Sequence, residues 1–262
     1  RGMSMVVDQP SMQWTDRAAQ ALGQQYSNLS LGGVSSGPIS LDKAFYNVSY
    51  QIGRRANDYQ SLLNTDPLGL QTAGVSSDSV SRLIQILNQQ QIPMMVGGRL
   101  PHARNNDQGT VFGSFDFAPP SNTNGQAFGI NFNGSWNRQS PPRGLNTDFP
   151  RYRGDRTSWR AGLQGSHNTY FGFGILSETS IGISESRNYS NPYLDMPTGR
   201  VRVASDFDDG TSGVQTLSFG GSPFMSSHTT STSMGYLNQM SWFSANNKHR
   251  LKLTSELRRE AY

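Results

Sequence analysis

The 262-residue chain contains no cysteine, which excludes a disulfide framework and any thiolate metal site. Charge is scarce: Asp, Glu, Lys and Arg together make up 15%, and the formal net charge is +4. The basic residues are scattered rather than gathered in one stripe, so the chain carries no nucleic-acid footprint. No run of eighteen or more apolar residues occurs, which excludes a transmembrane helix of ordinary length. Hydrophobic residues reach only 34%, yet the low charge does not fit the signature of disorder, which pairs low hydrophobicity with high net charge. What remains is a chain rich in Gly, Ser, Asn and Gln, with 10% aromatics, too many for a low-complexity linker.

The aromatics are placed in a pattern. In residues 126–137 the even positions carry Phe128, Ile130, Phe132 and Trp136, and the odd positions carry Gly129, Asn131, Asn133, Ser135 and Asn137. A period of two describes a strand with one apolar and one polar face. The pattern recurs. Leu29 and Leu31 mark a weak strand over 24–33. Ala44, Tyr46, Val48, Tyr50 and Ile52 mark a clear one over 43–54. Others are expected near 109–118, 156–171 (Trp159, Ala161, Leu163 and Phe171 on one parity), 175–190, 232–244 and 248–260, with the tail of one more in 1–8. Gly32 to Ile39 reads as a turn, because Gly and Pro punctuate it.

Two helices interrupt the β pattern within 55–107. Thr65-Asp66-Pro67 supplies a capping side chain and an early proline, and Gly74 a stop. Val80, Leu83, Ile84 and Leu87 fall at helical spacing over 77–91, before Pro93. Such a stripe either packs its loop onto itself or offers a partner-binding face.

Short turns are expected near 35–42, 119–125, 172–174 and 245–248, and long connections near 9–23, 55–107, 139–155 and 191–231. The strict alternation of short and long is the asymmetry of a transmembrane β-barrel of the bacterial outer membrane, whose strands need only about 9–11 alternating residues. The fold class expected is all-β: an antiparallel up-and-down barrel segment of about nine strands, spanning residues 1–262 as one partial domain, with short periplasmic turns, long external loops and short helices in the 55–107 loop. Both ends look cut, so an internal fragment of a larger barrel is expected.

The stretch Gly37-Pro38-Ile39-Ser40-Leu41-Asp42-Lys43-Ala44-Phe45-Tyr46-Asn47 resembles the periplasmic turn of TonB-dependent outer-membrane transporters. It is closest to the Oar-like branch that carries a carboxypeptidase-regulatory-like domain. Asn191 to Val203 and Leu217-Ser218-Phe219-Gly220-Gly221 resemble an external loop of that branch, and the likeness covers 24–262. The resemblance implies a parent barrel of about 22 strands with a plug inside. It implies substrate binding by plug and loops, and energised uptake of a large, scarce nutrient ligand driven by the TonB complex acting on the plug. Neither plug nor TonB box reads from these residues. The expected location is the outer membrane of a Gram-negative-type bacterium. A passive porin or adhesion-type barrel, and a soluble secreted glycan-binding β-protein, are the rival readings.

The chemistry-bearing residues form no catalytic constellation. No Gly-x-Ser-x-Gly elbow organises the serines, and an enzyme is not expected. His102, His167, His228 and His249 lie far apart without neighbours at ligand spacing, so neither metal nor cofactor is expected. Asp206-Phe207-Asp208-Asp209-Gly210 has part of a calcium loop but no late Glu, and reads as a solvated turn. Arg138, Arg143, Arg151, Arg153, Arg156 and Arg160 surround one long loop. They are candidate contacts for an anionic substrate or for lipopolysaccharide phosphates, given the planar donor fork of arginine; the alternative is a polar loop with scattered counterions. Tyr46, Tyr50, Trp136, Trp159, Tyr170, Phe171 and Trp242 are candidate membrane-interface aromatics facing outer-membrane lipid, with carbohydrate stacking as the rival use.

Overall fold

The computed structural model describes residues 1–12, 26–58, 61–94, 103–117, 125–140, 149, 154–222, 226–246 and 248–262. Eleven strands are described: β1 (Gly2–Asp8), β2 (Tyr26–Ser40), β3 (Ala44–Asp58), β4 (Ala103–Phe117), β5 (Ala127–Ser140), β6 (Gly154–Gly172), β7 (Ile175–Pro192), β8 (Thr198–Asp206), β9 (Ser212–Gly220), β10 (Ser227–Phe243) and β11 (Arg250–Ala261). Two helices, α1 (Pro67–Thr72) and α2 (Ser77–Gln89), lie between β3 and β4, and a single 3₁₀ turn, Pro10–Met12, follows β1. The fold is all-β and antiparallel.

Nine strands form one sheet in the order β1-β2-β3-β4-β5-β6-β7-β10-β11. Apart from the excursion that holds β8 and β9, each strand pairs with its neighbour in sequence, so successive connections fall at opposite ends of the sheet. One end carries the short links, Leu41–Lys43 and Phe173–Gly174 among them; the other carries the long ones. β6 reaches 19 residues, against a usual five or six. β1 and β11 are the two edges and do not pair with each other.

The turn expected at Gly32–Ile39 is strand instead. Gly33 lies opposite Tyr50 and Gly37 opposite Tyr46. A Cβ at Gly33 would stand 2.8 Å from the Tyr50 ring, so the glycine is there to let the aromatic lie flat across the sheet, not to bend the chain. The turn falls later, at Leu41-Asp42-Lys43, with Asp42 at φ 58°. The parity expected to carry Phe171 with Trp159 is also broken, because the β6–β7 register shifts between Tyr170 and Gly172.

The 191–231 excursion is not a plain loop, since β8 and β9 pair in it as a separate two-stranded sheet. Here too a glycine lies under an aromatic: the Phe219 ring would meet a Cβ at Gly199 at 2.2 Å. Both helices start where their caps are. Asp66 accepts a hydrogen bond from the Gly69 amide at 2.8 Å, with Pro67 in the first turn, and Gly74 ends α1 at φ +78°. Ser76 caps α2 by accepting from the Ser79 amide at 3.2 Å.

Candidate functional site

Register decides what each sheet face carries. The even residues of β3, β5 and β10 share one face with the odd residues of β1, β2, β4, β7 and β11 and, up to Thr169, of β6. That face presents Met3, Met5, Leu31, Tyr46, Tyr50, Ile52, Val111, Phe115, Phe117, Phe128, Ile130, Phe132, Trp136, Trp159, Leu163, Ile181, Ile183, Met234, Tyr236, Met240, Trp242, Leu251, Leu253 and Leu257. The opposite face carries mainly Ser, Thr, Asn, Gln and Gly, such as Asn47, Gln51, Thr110, Asn131, Asn133, Gln164 and Ser184. The apolar side chains are uncovered: Ile130 is 48% exposed, Leu163 51% and Ile181 60%.

This apolar belt crosses the sheet at a slant. In β3 it runs from Tyr46 to Ile52, centred on Ser49. The hydrogen-bonded row through Ser49 continues through Phe112, Asn133, Gly162 and Ser184 to Ser233. In β10, however, the belt runs from Met234 to Trp242, centred on Asn238, five residues beyond Ser233. Its edge toward the long loops slants likewise. The first charged residues met there on the apolar parity are Arg54, Asp107 and Arg138 in one row. They are followed by Glu185 in the row of Val111, and by Arg259 one step lower still, opposite Met234.

Above this edge the charges are paired. Arg54 donates through Nε at 2.6 Å and Nη2 at 3.0 Å to the two carboxylate oxygens of Asp107. Arg138 donates to Asp155 at 3.3 Å. The Tyr193 hydroxyl donates to the other Asp155 oxygen at 2.6 Å and lies 2.9 Å from Ser140 Oγ. Arg187 donates to Glu185 at 2.5 Å and stands over the Trp159 ring.

The arginines read together in the sequence are divided by the pleat. Arg138 lies on the apolar-parity face, whereas Arg156 and Arg160 lie on the polar face, with Arg156 donating to Ser190 Oγ at 3.3 Å. Arg143, Arg151 and Arg153 lie outside the described residues, as does His102. Of the aromatics, Tyr46, Tyr50, Trp136, Trp159 and Trp242 all fall on the apolar face; Phe171 sits in the bulge and is 61% exposed. His167 stacks on Phe128 at 4.3 Å, and His228 meets Tyr189 edge-on at 4.8 Å. Among the described residues no three His, Cys, Asp or Glu side chains converge as metal ligands.

A second site, missed in the sequence, gathers the long loops. The buried hydrophobic core of the described residues is Leu62, Leu70, Val75, Val80, Leu83, Leu87, Phe149 and Leu217, with Ile84, Val201, Val203 and Phe219 packed against it. These residues come from three different connections: β3–β4, β5–β6 and β7–β10. The α2 stripe therefore packs on its own loop, in one cluster with Leu62, Leu70 and Val75, and on the β8–β9 hairpin through Leu217 as well. Ser76 N donates to Ser205 Oγ at 3.0 Å, Gln215 donates to the Ala73 carbonyl at 3.0 Å, and Gln71 to Asp209 at 2.9 Å. Gly213 lies so close to Gly74 that a Cβ would stand 2.5 Å from its carbonyl oxygen. The third loop joins through Phe149, whose amide donates to Ser218 O at the edge of β9. In the Asp206–Gly210 turn, Asp209 accepts from both the Thr211 amide (3.0 Å) and hydroxyl (2.6 Å). With Gln71, those donors hold its carboxyl below the usual carboxylate range. The advance signals of this cap were the apolar stripe of α2 and the period-two run Val201–Val203 and Leu217–Phe219 inside the 191–231 connection. Compared with known proteins, the chain matches no family model and no curated sequence.

Proposed function

We propose that this chain forms part of the wall and outer loops of a TonB-dependent outer-membrane transporter, working in the energised uptake of a large, scarce nutrient. The observation that carries the reading is the slant of the apolar belt. A shift of five residues at ~3.3 Å each, over five strand spacings of ~4.8 Å, is an angle of roughly 35° between strand and belt normal. Strands of a transmembrane barrel are tilted by about 35–45°, so a lipid slab crossing them greases the sheet along such a diagonal. A water-soluble sandwich buries its apolar face against a second layer, and no second layer covers this face among the described residues. The aromatics share the uncovered face with aliphatic side chains, which favours lipid contact over sugar stacking. In this reading the long loops face outward, and the cap stands at the outer mouth.

The test is sided labelling in cells making the full-length protein. Cysteine at Asp208, in the cap, reacts with a membrane-impermeant maleimide on intact cells. Cysteine at Lys43, in a short turn, reacts only after the outer membrane is breached. Recovery of the protein in a soluble fraction, or labelling of Lys43→Cys on intact cells, overturns the reading. Coupling is tested by removing TonB. A nutrient-dependent growth phenotype that vanishes without TonB supports a transporter, and one that persists makes the barrel passive.

A further inference from the structure

The polar face of the sheet is zoned by charge. On β2 to β7 and β10, each paired on both sides, the Lys, Arg, Asp and Glu side chains of this face are, among the described residues, Arg55, Arg104, Arg156, Arg160, Asp116 and Glu178. The row through Ser49, Phe112, Asn133, Gly162, Ser184 and Ser233 divides them: the arginines lie toward the long connections, both carboxylates toward the short turns. Arg55 and Arg156 stand in one row, three strands apart, with Asn106 and Gln139 between them. Arg55 leans onto the Tyr26 ring of β2 at 4.0 Å, a stack that uses the flat face of its guanidinium. Arg156 leans the other way, onto Ser190 of β7. The carboxylate nearest this zone on the same face is Asp8 of β1, in the row of Arg55, and it hydrogen-bonds to Tyr26.

We propose that this zone of the polar face binds an acidic oligosaccharide. The inference rests on the transporter reading above, in which the polar face lines the passage, and names the class of its cargo. At ~4.8 Å between strands and ~3.3 Å per residue, Arg55 and Arg156 stand ~14 Å apart, and Arg156 and Arg160 ~13 Å. Arg55 and Arg156 also lean away from each other, so one small anion does not span them. The ligand that fits carries several anionic groups along an extended chain. Between the arginines the face presents amides and a hydroxyl: Asn106, Gln108, Asn137, Gln139 and Ser158, with Asn137 donating to Asn106 at 2.8 Å. Such groups both donate and accept, which suits the hydroxyls of a sugar chain. The guanidiniums take its carboxylates or sulfates through their forked N–H donors. A wall with arginines at one end and carboxylates at the other gathers anions at the arginine end, here beside the long connections.

The experiment uses the full-length protein in detergent and two rhodamine-labelled polymers of equal length, dextran sulfate and dextran, which share a backbone and differ in charge. By fluorescence anisotropy, dextran sulfate is expected to bind about tenfold more tightly than dextran, as hydrogen bonds to charged groups allow. The preference should fall as salt rises. Arg156→Gln together with Arg160→Gln should weaken dextran sulfate about tenfold, at about threefold for each exposed ion pair. Arg160→Gln alone serves if the double variant fails to fold. Arg138→Gln, beside Arg156 in register but on the opposite face, should leave binding unchanged. Equal binding of the two polymers, binding that survives the polar-face variants, or an equal loss in Arg138→Gln overturns the site. Linear polyphosphate that competes as well as unlabelled dextran sulfate of equal charge shows that charge alone is read, and overturns the sugar class. Sided labelling as described above with no preference for dextran sulfate sinks this site alone. Labelling that fails while the preference persists sinks the transporter reading instead.

Discussion

The sheet and the cap handle apolar residues in opposite ways. In the cap, Leu87, Leu217 and Phe149 are almost wholly buried, and the polar side chains buried with them, such as Ser61 and Ser205, are hydrogen-bonded. In the sheet, Phe115, Ile130 and Leu163 lie uncovered, and the side chains that are buried there include the hydroxyl residues Thr169, Ser177, Ser190 and Ser241. One sequence thus follows two solvent rules. The cap is organised as a protein in water. The sheet is organised as though water lay on its polar face and something greasy on the other. The boundary between the two rules is the slanting line of charges that begins at Arg54, Asp107 and Arg138 and continues to Glu185.

Variants can break this contrast. The largest effect is expected from Leu217→Ala, which empties a core site built by three loops: about 2–5 kcal/mol of cap stability should be lost. Hydrogen exchange should report it in α1, α2, β8 and β9 and leave the nine-stranded sheet protected. Leu163→Ala, at a half-exposed site, should cost no more than about 0.5 kcal/mol, as surface changes do. Ile130→Arg, at the belt centre, should cost about 2–4 kcal/mol in a folding titration into vesicles. If it costs nothing, the belt does not face lipid. Gly113→Ala drives a Cβ to 2.3 Å from the Phe132 ring. It should cost about 1–3 kcal/mol by denaturant midpoint as the ring is displaced. Asp66→Ala should remove about 1 kcal/mol of α1 capping, seen as faster exchange in that helix alone.

The smallest effect separates cap from sheet by pH. The Asp209 carboxyl is held below its ordinary range by the Thr211 hydroxyl and amide and by Gln71. Its contribution is therefore present above the unfolded carboxylate value and lost as pH falls through the lowered folded one. Cap protection should weaken across that acid window, and Asp209→Asn should flatten the dependence; an unchanged profile in the variant rejects the assignment.

Much of the sheet was legible because alternation is a local property. Phe128 to Trp136 announces its strand without help from any partner, and Asp66-Pro67 announces its helix. The misplaced turn has a plain cause, which is that glycine has two uses. Gly33 read as a turn former, but it makes room for the Tyr50 ring on the next strand, a fact that belongs to the pair and not to the segment. The faces of the arginines around the 139–155 connection were illegible for a related reason. Arg138 and Arg156 stand one register step apart on paired strands, and the pleat sends them to opposite faces. The cap was illegible because its contacts join residues more than a hundred positions apart, as Ser76 to Ser205 and Gln71 to Asp209. No periodicity within one loop reveals that three loops share a core.

That shared core bears on how the cap moves. Independent loops would open one by one and produce a continuum of partly open mouths. Here α2 cannot lift without exposing Leu217, and the hairpin cannot lift without exposing Leu83 and Leu87. Displacing any one loop forfeits the contacts of the others, so the cap should loosen as one cooperative unit. Its amides should therefore exchange with solvent together rather than loop by loop.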